Sequence, residues 1–487
     1  MLKRSELNSR SQSSAADRKT RAKKNRLRSR LQSRRLQMEG LEARQLLAAE
    51  VVDIPVVDPA LFAAQAPRNI GDVPAFDVSE GEAANETGVN DTFLTATFLP
   101  LGTGPGQQDT IDITGAMPVT TDPIRGNTVT DVDTFAFDLR AGDILDVSVL
   151  GAAGNLTVSY GDGSFWFGSD SQQNVVLPSN SPLTSTGNAN ASQVIPEDGR
   201  YYLTLAPSST QATYTAGLRV YRPVAESLPV GAQQYLYLDL DGGFYPTSLF
   251  PGALPQGIVR VTGLPNSLPA LGIQADDDQA LDDLITQLVE EVERNYATVT
   301  VDGGNGNYNE SGVAGEYGIT VLNSRDHADP GFDNPLVTRI IVATQVETGF
   351  GTGLLGIAQS VDIGNFDMGE NALVLVDDVL AAATAFPIAP TSSQLDAVAR
   401  RMATTISHEA AHTFGLRHTN GDNFVGNIID EGPGINTNFF RLGVGPDGIF
   451  GTVDDTEIGF PTDQFSLNEG LFGFSRTAES LAWGLAT

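Results

Sequence analysis

The chain has 487 residues, 40% of them hydrophobic, with 29 Lys/Arg, 60 Asp/Glu and no cysteine. That length supports two cores rather than one. The lack of cysteine excludes disulfides, thiolate metal sites and a cysteine nucleophile. The charge is unevenly placed: the first 44 residues carry 14 Lys/Arg against 4 Asp/Glu, the rest carry 15 against 56, and no lysine follows Lys24. An acidic body of this kind repels nucleic acid and anionic membrane, and suits calcium or a saline medium.

Residues 1–48 read as a basic export or sorting segment. The Arg-rich run "RKTRAKKNRLRSRLQSRRLQ" is followed by "LEARQLLA" (Leu41 to Ala48). This stretch resembles the LEPR-XLL motif found near the N-termini of exported bacterial proteins, with Ala43 standing where the motif has proline. The apolar run after it is broken by Glu50 and Asp53, which makes a poor core for an ordinary signal peptide. No apolar stretch reaches the ~18 residues of a membrane helix, so no membrane span is expected. Residues 49–88, rich in Pro, Ala, Asp and Glu, read as a linker or pro-segment.

From 89 to 223 the pattern changes to short alternating runs, "DTFAFDL", "DILDVSVL", "NLTVSY", "RYYLTLA" and "TAGLRVYR", separated by Gly, Asn, Asp and Pro. Period-two alternation with such spacing predicts an all-β antiparallel sandwich. "NDTFLTAT", "DVDTFAFDLRAGDILDVSV" and "EDGRYYLTL" resemble the bacterial pre-peptidase C-terminal (PPC) domain, a small module that accompanies secreted peptidases. The resemblance implies that Asp131 and Asp133 open a strand placing Phe135 and Phe137 in the core. Asp91, Asp131 and Asp133 are then either calcium ligands or caps of turns.

Residues 230–487 form the second predicted domain. "QYLYLDLDGG" reads as a strand ending in a turn. "DDDQALDDLITQLVEEVERNYA" reads as a helix with Leu281, Leu284, Ile285, Leu288, Val289 and Val292 on one stripe. Strands follow at "TVTVD", "YGITVL", "RIIVAT" and "NALVLVDD". A second long helix is "PTSSQLDAVARRMATTISHEAAHTF", N-capped by Thr391 or Ser392, with Leu395, Val398, Met402 and Ile406 as its apolar stripe. Helix, strands, helix predicts an α/β (α+β) domain on a mostly parallel, mixed sheet.

Three of the four histidines lie in "SHEAAHTFGLRH". His408 and His412 stand one turn apart on a helix, so both imidazoles reach one metal ion. Glu409 sits beside the first of them, where it can take a proton from metal-bound water. Gly415 can adopt the left-handed geometry that ends the helix, which brings His418 round as a third nitrogen ligand. Three neutral imidazoles leave zinc an open fourth position.

All five positions of H-E-x-x-H-x-x-G-x-x-H are filled, and the stretch resembles the metzincin metallopeptidases. The resemblance implies that His408, His412 and His418 hold zinc, and that Glu409 is general base and then proton shuttle. Metzincins also have a methionine turn below the zinc. Here "VGNIIDEG" fits that turn with Ile429 in the methionine's place. Farther on, "GPDGIFGTVDDTEIG" resembles short calcium-binding loops through Asp447, Asp454, Asp455 and Glu457, and equally fits an acidic surface turn. His327 has no ligand spacing.

The expected function is a secreted or cell-envelope zinc metalloendopeptidase, a monomer acting on protein or peptide, with zinc as cofactor and calcium as a second candidate. The alternative is a catalytically silent zinc-binding surface or matrix-binding protein that binds through its β-sandwich.

Overall fold

The computed structural model describes residues 54, 76–80, 89–121, 128–207, 213–222, 234–250, 257–297, 319–346, 354–383, 387–432 and 443–485, apart from 103, 105, 106, 272, 273, 275, 276 and 333. The expected export segment, most of the 49–88 linker and the strand at "TVTVD" lie outside them. Of the described residues, those of 54–323 and 330–485 belong to one compact unit and Ser324–Asp329 to another. Within that second unit Arg325 and Asp326 are ion-paired at 2.6 Å. The architecture is mixed β-sheets with a few helices.

The first half of the chain builds two sheets. Its strands are β1 (Phe76–Ser79), β2 (Thr97–Phe98), β3 (Gln108–Ala116), β4 (Val119–Thr121), β5 (Thr128–Thr130), β6 (Asp133–Leu139), β7 (Ile144–Gly151), β8 (Ala153–Tyr160), β9 (Phe165–Ser169), β10 (Ala189–Val194), β11 (Gly199–Pro207) and β12 (Thr213–Tyr221). One sheet runs β1-β3-β12-β7-β10, and β4 pairs with β5 alone. The other begins β2-β6-β11-β8-β9. Alternation sets the inward faces: Ile111, Ile113, Val147, Val149 and Leu218 of the first sheet enter one hydrophobic cluster with Phe135, Phe137, Val158 and Leu203 of the second. "DTFAFDL" is β6 to the residue, and Phe135 and Phe137 are fully buried.

The second half is layered differently. Its first strands are β13 (Gln234–Asp239), β14 (Gly242–Pro246) and β15 (Ile258–Gly263), followed by helix α1 (Asp278–Ala297) and β16 (Ile319–Asn323). Next come β17 (Val337–Val346), β18 (Gly356–Ala358), β19 (Asn371–Leu375) and helices α2 (Val376–Ala383) and α3 (Gln394–Thr413). Arg339 of β17 registers with Tyr237 of β13 and with Asn371 of β19, so those two strands flank β17, both parallel to it. β16 lies parallel outside β13, β18 lies antiparallel outside β19, and the β14–β15 hairpin joins the far end of β17.

Period-two alternation divides this sheet's residues between two clusters. Ile340 and Val342 pack with Leu284, Leu288 and Val292 of α1 and with Val398, Met402 and Ile406 of α3. Ile341 and Ala343 pack with Tyr245 and Val259.

Two expectations are corrected. The N-cap of α3 is Ser393, not Thr391 or Ser392, because Asp396 three residues on completes a reciprocal capping box. The end of "NALVLVDD" is helical, since Asp377 and Asp378 occupy the first turn of α2, where acids complement the helix dipole.

The chain leaves the paired sheets after Arg222 and returns to them near its end. Strands β20 (Asp463–Gln464) and β21 (Phe472–Ser475) extend the second sheet beyond β9, and helix α4 (Thr477–Gly484) follows. Phe465 and Leu471 enter the paired-sheet core.

Candidate metal centre

Helix α3 presents His408 and His412 one turn apart, both buried. The helix stops at Gly415, whose φ is +97°. A Cβ there would lie 2.7 Å from the Asp362 carbonyl oxygen and 2.8 Å from Ile363 Cα, so only glycine fits both the turn and the approach of that loop. Past the turn, half-buried His418 returns to the other two, and the three residues' ligand atoms lie within 4.8 Å of one another. Among the described residues this is the sole such group of His, Cys, Asp or Glu.

Hydrogen bonds fix which nitrogen of each ring faces the centre. His408 Nδ1 meets the Ile428 carbonyl at 2.7 Å, His412 Nδ1 the Leu416 carbonyl at 2.8 Å, and His418 Nδ1 the Glu469 carboxylate at 2.6 Å. All three partners only accept, so each Nδ1 carries a proton and, in the neutral ring, each Nε2 keeps its lone pair. The Nε2 atoms of His412 and His418 are 3.2 Å apart. Two lone pairs at that separation repel unless a cation lies between them. A tetrahedral zinc with bonds of about 2.0–2.1 Å spaces its nitrogens by about 3.3–3.4 Å. The donor set therefore fits zinc in both chemistry and spacing, and the buried histidine cluster can chelate a metal.

Glu409 is buried beside His408, outside the ligand group. A Cβ on Gly356 would meet its Oε1 at 2.5 Å, so the carboxylate lies against the backbone of edge strand β18. Ile429 is fully buried in the α/β core. It sits in a tight turn in which Asp430 N–H donates to the Asn427 carbonyl, and the neighbouring Ile428 carbonyl holds His408.

The spacing of the motif gave no sign of Glu469, which comes 51 residues after His418. Burial works to raise its pKa, but the His418 hydrogen bond, with the Arg417 charge nearby, outweighs it and holds the carboxyl below its ordinary value. Arg417 is itself fully enclosed. Burial lowers its guanidinium to about 10 against the pull of Glu469 and of Asp146 on β7.

The four acids of the "GPDGIFGTVDDTEIG" loop are not gathered into a ligand group. Asp455 accepts from the Gly445 and Gly451 amides, Asp454 from the Asp447 amide and the Thr452 hydroxyl, and Asp447 from the Ile449 amide. Glu457 is exposed. These carboxylates cap their own turns.

The paired sheets hold the more unusual acids. Asp131 and Asp133 are fully buried, with Glu80 and Asn90 also buried and Asp91 half-buried. Burial, then Glu80 and Asp131, push Asp133 up to about 9. The Asn90 side-chain amide is enclosed without a hydrogen-bond partner.

A family model described as "Planctomycete extracellular" matches residues 32–51, the stretch that contains "LEARQLLA". No curated protein matches the chain significantly. Among solved structures, a periplasmic inhibitor of g-type lysozyme from Aeromonas hydrophila is 11% identical over 26% of this chain and 95% of its own, with TM-score 0.16. The pre-peptidase C-terminal domain of a Bacillus anthracis collagenase is 15% identical over 25% and 93%, with TM-score 0.16. The GM1-bound ECX AB5 holotoxin is 9% identical over 53% and 81%, with TM-score 0.21. At these scores none of the three bears on the fold. No described helix is long and apolar enough to cross a membrane.

Proposed function

We propose that the protein is an exported zinc-binding protein whose centre is His408, His412 and His418. One observation carries this: every Nδ1 is tethered to an oxygen, which leaves three Nε2 lone pairs converging. Export rests on the match at 32–51 and the basic stretch before it. Metal analysis of the full chain supplied with zinc should give one ion per chain, lost in His408→Ala and His412→Ala. Absence of stoichiometric metal in the wild type refutes it. A zinc-binding surface or matrix protein, with the first-half sheets as a PPC-like sandwich that binds its partner, is the reading nearest these observations.

A second reading, a metzincin-type endopeptidase, is favoured by Glu409 and its neighbour β18. Among the described residues β18 pairs only with β19, so its outer edge offers backbone groups on which an extended peptide can lie as an added strand. Bound zinc would polarise a scissile carbonyl and lower the pKa of a water molecule. Glu409 would accept that water's proton and deliver it to the leaving amine, and Gly356 leaves room for the carboxylate beside the peptide. The buried turn at Ile429 would keep an apolar floor where the family has methionine. Cleavage of casein or gelatin by the wild type, lost in Glu409→Gln with zinc retained, selects this reading. Zinc binding without cleavage selects the first.

Calcium, under either reading, would be taken by the buried Glu80, Asn90, Asp131 and Asp133 rather than by the 445–459 loop, although neither set of acids is gathered into a ligand group. The buried carboxylates and the enclosed Asn90 amide match the oxygen-rich shell that a hard cation requires.

A further inference from the structure

Two of the three candidate ligands are oriented from within the α/β layer, by the carbonyls of Ile428 and Leu416. The third is not. Glu469, which holds His418, ends a single 3₁₀ turn, Leu467–Glu469, between β20 and β21. On one side that turn is tied to the metal loop: Ser466 N–H donates to the His418 carbonyl at 3.0 Å, and Asn468 Nδ2 donates to Glu431 at 2.6 Å.

On its other side the turn is built into the paired sheets. Asn174 donates through its backbone N–H to the Glu469 carbonyl at 3.2 Å and through its side chain to the Asn468 carbonyl at 3.3 Å. Ser169 Oγ donates to the Gly470 carbonyl at 2.8 Å. Phe472 and Gly473 pair with Gly168 and Phe167 of β9, and the Phe165 and Phe472 rings stack at 5.9 Å. Phe465 and Leu471, on either side of the turn, lie in the paired-sheet core. The Asn174 segment is itself fastened to β10, since Gln173 N–H donates to the Asn190 side chain at 2.8 Å.

We infer that the paired sheets are a working part of the metal centre: through β9 and the 169–174 segment they fix Glu469, and Glu469 is the positioning residue that aims His418 Nε2 at the metal. This rests on the zinc reading above. The physical reason is that a carboxylate on Nδ1 locks the ring's tautomer and rotation and makes Nε2 a better donor. His418 needs this more than its partners, because it lies beyond the helix and is less enclosed than they are. The module that sequence suggests is an appendage therefore supplies one of the three orienting contacts. The α/β half without it would hold two well-aimed ligands and one loose one.

The test uses the full chain and three readouts: zinc affinity by competition with a chromophoric chelator, the visible spectrum of the cobalt(II) form, and the melting temperature of the metal-free protein. Glu469→Ala should weaken zinc by about 10–100-fold, the range for an outer-shell partner, and alter the cobalt spectrum. Glu469→Gln keeps an oxygen acceptor and should recover much of the loss. Ser169→Ala with Asn174→Ala removes both side-chain bonds to the turn's carbonyls, together with the Ser169 hydroxyl's own contacts to Ser171, and should also weaken zinc. Combined with Glu469→Ala it should add little, because both changes act on one contact.

Wild-type zinc affinity and cobalt spectrum in Glu469→Ala overturn the inference while leaving the zinc site standing. So does full additivity of the Ser169/Asn174 loss with the Glu469 loss, or a Glu469→Ala loss that only follows a fallen metal-free melting temperature. A wild-type chain that binds no zinc overturns the underlying reading instead.

Discussion

Replacing Gly415 by alanine probes the turn on which the three-histidine arrangement depends. The added Cβ would fall 2.7 Å from the Asp362 carbonyl oxygen, 2.8 Å from Ile363 Cα and 3.1 Å from Gly364 N. All three are backbone atoms, so no side-chain rotation relieves the clash. The φ of +97° adds a left-handed penalty of roughly 1–2 kcal/mol for an L-residue. Overpacking against fixed neighbours adds about 1–3 kcal/mol. Together these give about 2–5 kcal/mol, a large share of the roughly 5–15 kcal/mol that holds a domain folded.

Urea unfolding of the metal-free chain should show the midpoint falling by roughly 1 M or more, given slopes of about 1–3 kcal/mol per M. Zinc affinity should fall with it, since His418 lies three residues past the turn. Gly415→Asn separates the two contributions: asparagine tolerates positive φ but still carries the Cβ, so the steric argument predicts that it does not recover. Wild-type midpoint and wild-type zinc affinity in Gly415→Ala would show that the 362–364 loop yields freely and that the turn is not what aims His418.

Under the peptidase reading, Glu409→Gln should lower cleavage by on the order of 10²-fold or more while zinc content stays unchanged. Equal cleavage in the two proteins assigns the base elsewhere. Ile429→Met should cost less than about 1.5 kcal/mol because volume and polarity are nearly kept, and Ile429→Ala about 2–5 kcal/mol at this fully buried position. Similar melting curves for both would place the side chain at the surface. Calcium should raise the melting temperature, and Asp133→Asn should remove that response; a melt indifferent to calcium and its chelators leaves the acids without a cation. Without calcium, burial first and then Glu80 and Asp131 raise the folded-state pKa of Asp133 to about 9, well above the ordinary range of an aspartate. The folded chain then holds a proton that the unfolded chain has released, so stability falls as pH rises across that window. The slope is at most about 1.4 kcal/mol per pH unit, and Asp133→Asn should flatten it; an unchanged slope points to a different group.

What could be read from the sequence follows the range of the interactions involved. β6 and α3 are written in local periods, two and 3.6, and the structure has both, with α3 capped a residue or two later than the sequence suggests because Asp396 closes a box on Ser393. The histidine triad is equally local: a turn of helix, a glycine and a return, all within eleven residues. Strand β18 has three residues and β21 four, too short for any period to show. β21 is a strand because β9, some 300 residues earlier, offers it an edge. Glu469 has the same difficulty. Nothing in "FSLNEGLFG" marks that glutamate as different from the chain's other acids. Its role comes from the surroundings that enclose it: Asn174 and Ser169 fix the turn from one side, His418 takes the carboxylate on the other, and Arg417 places a buried charge behind it. A motif records which atoms can bind a metal. The contacts that hold those atoms at the binding distance come from whatever part of the chain packs against them. Here that part includes the 169–174 segment of the paired sheets, far from the motif in sequence.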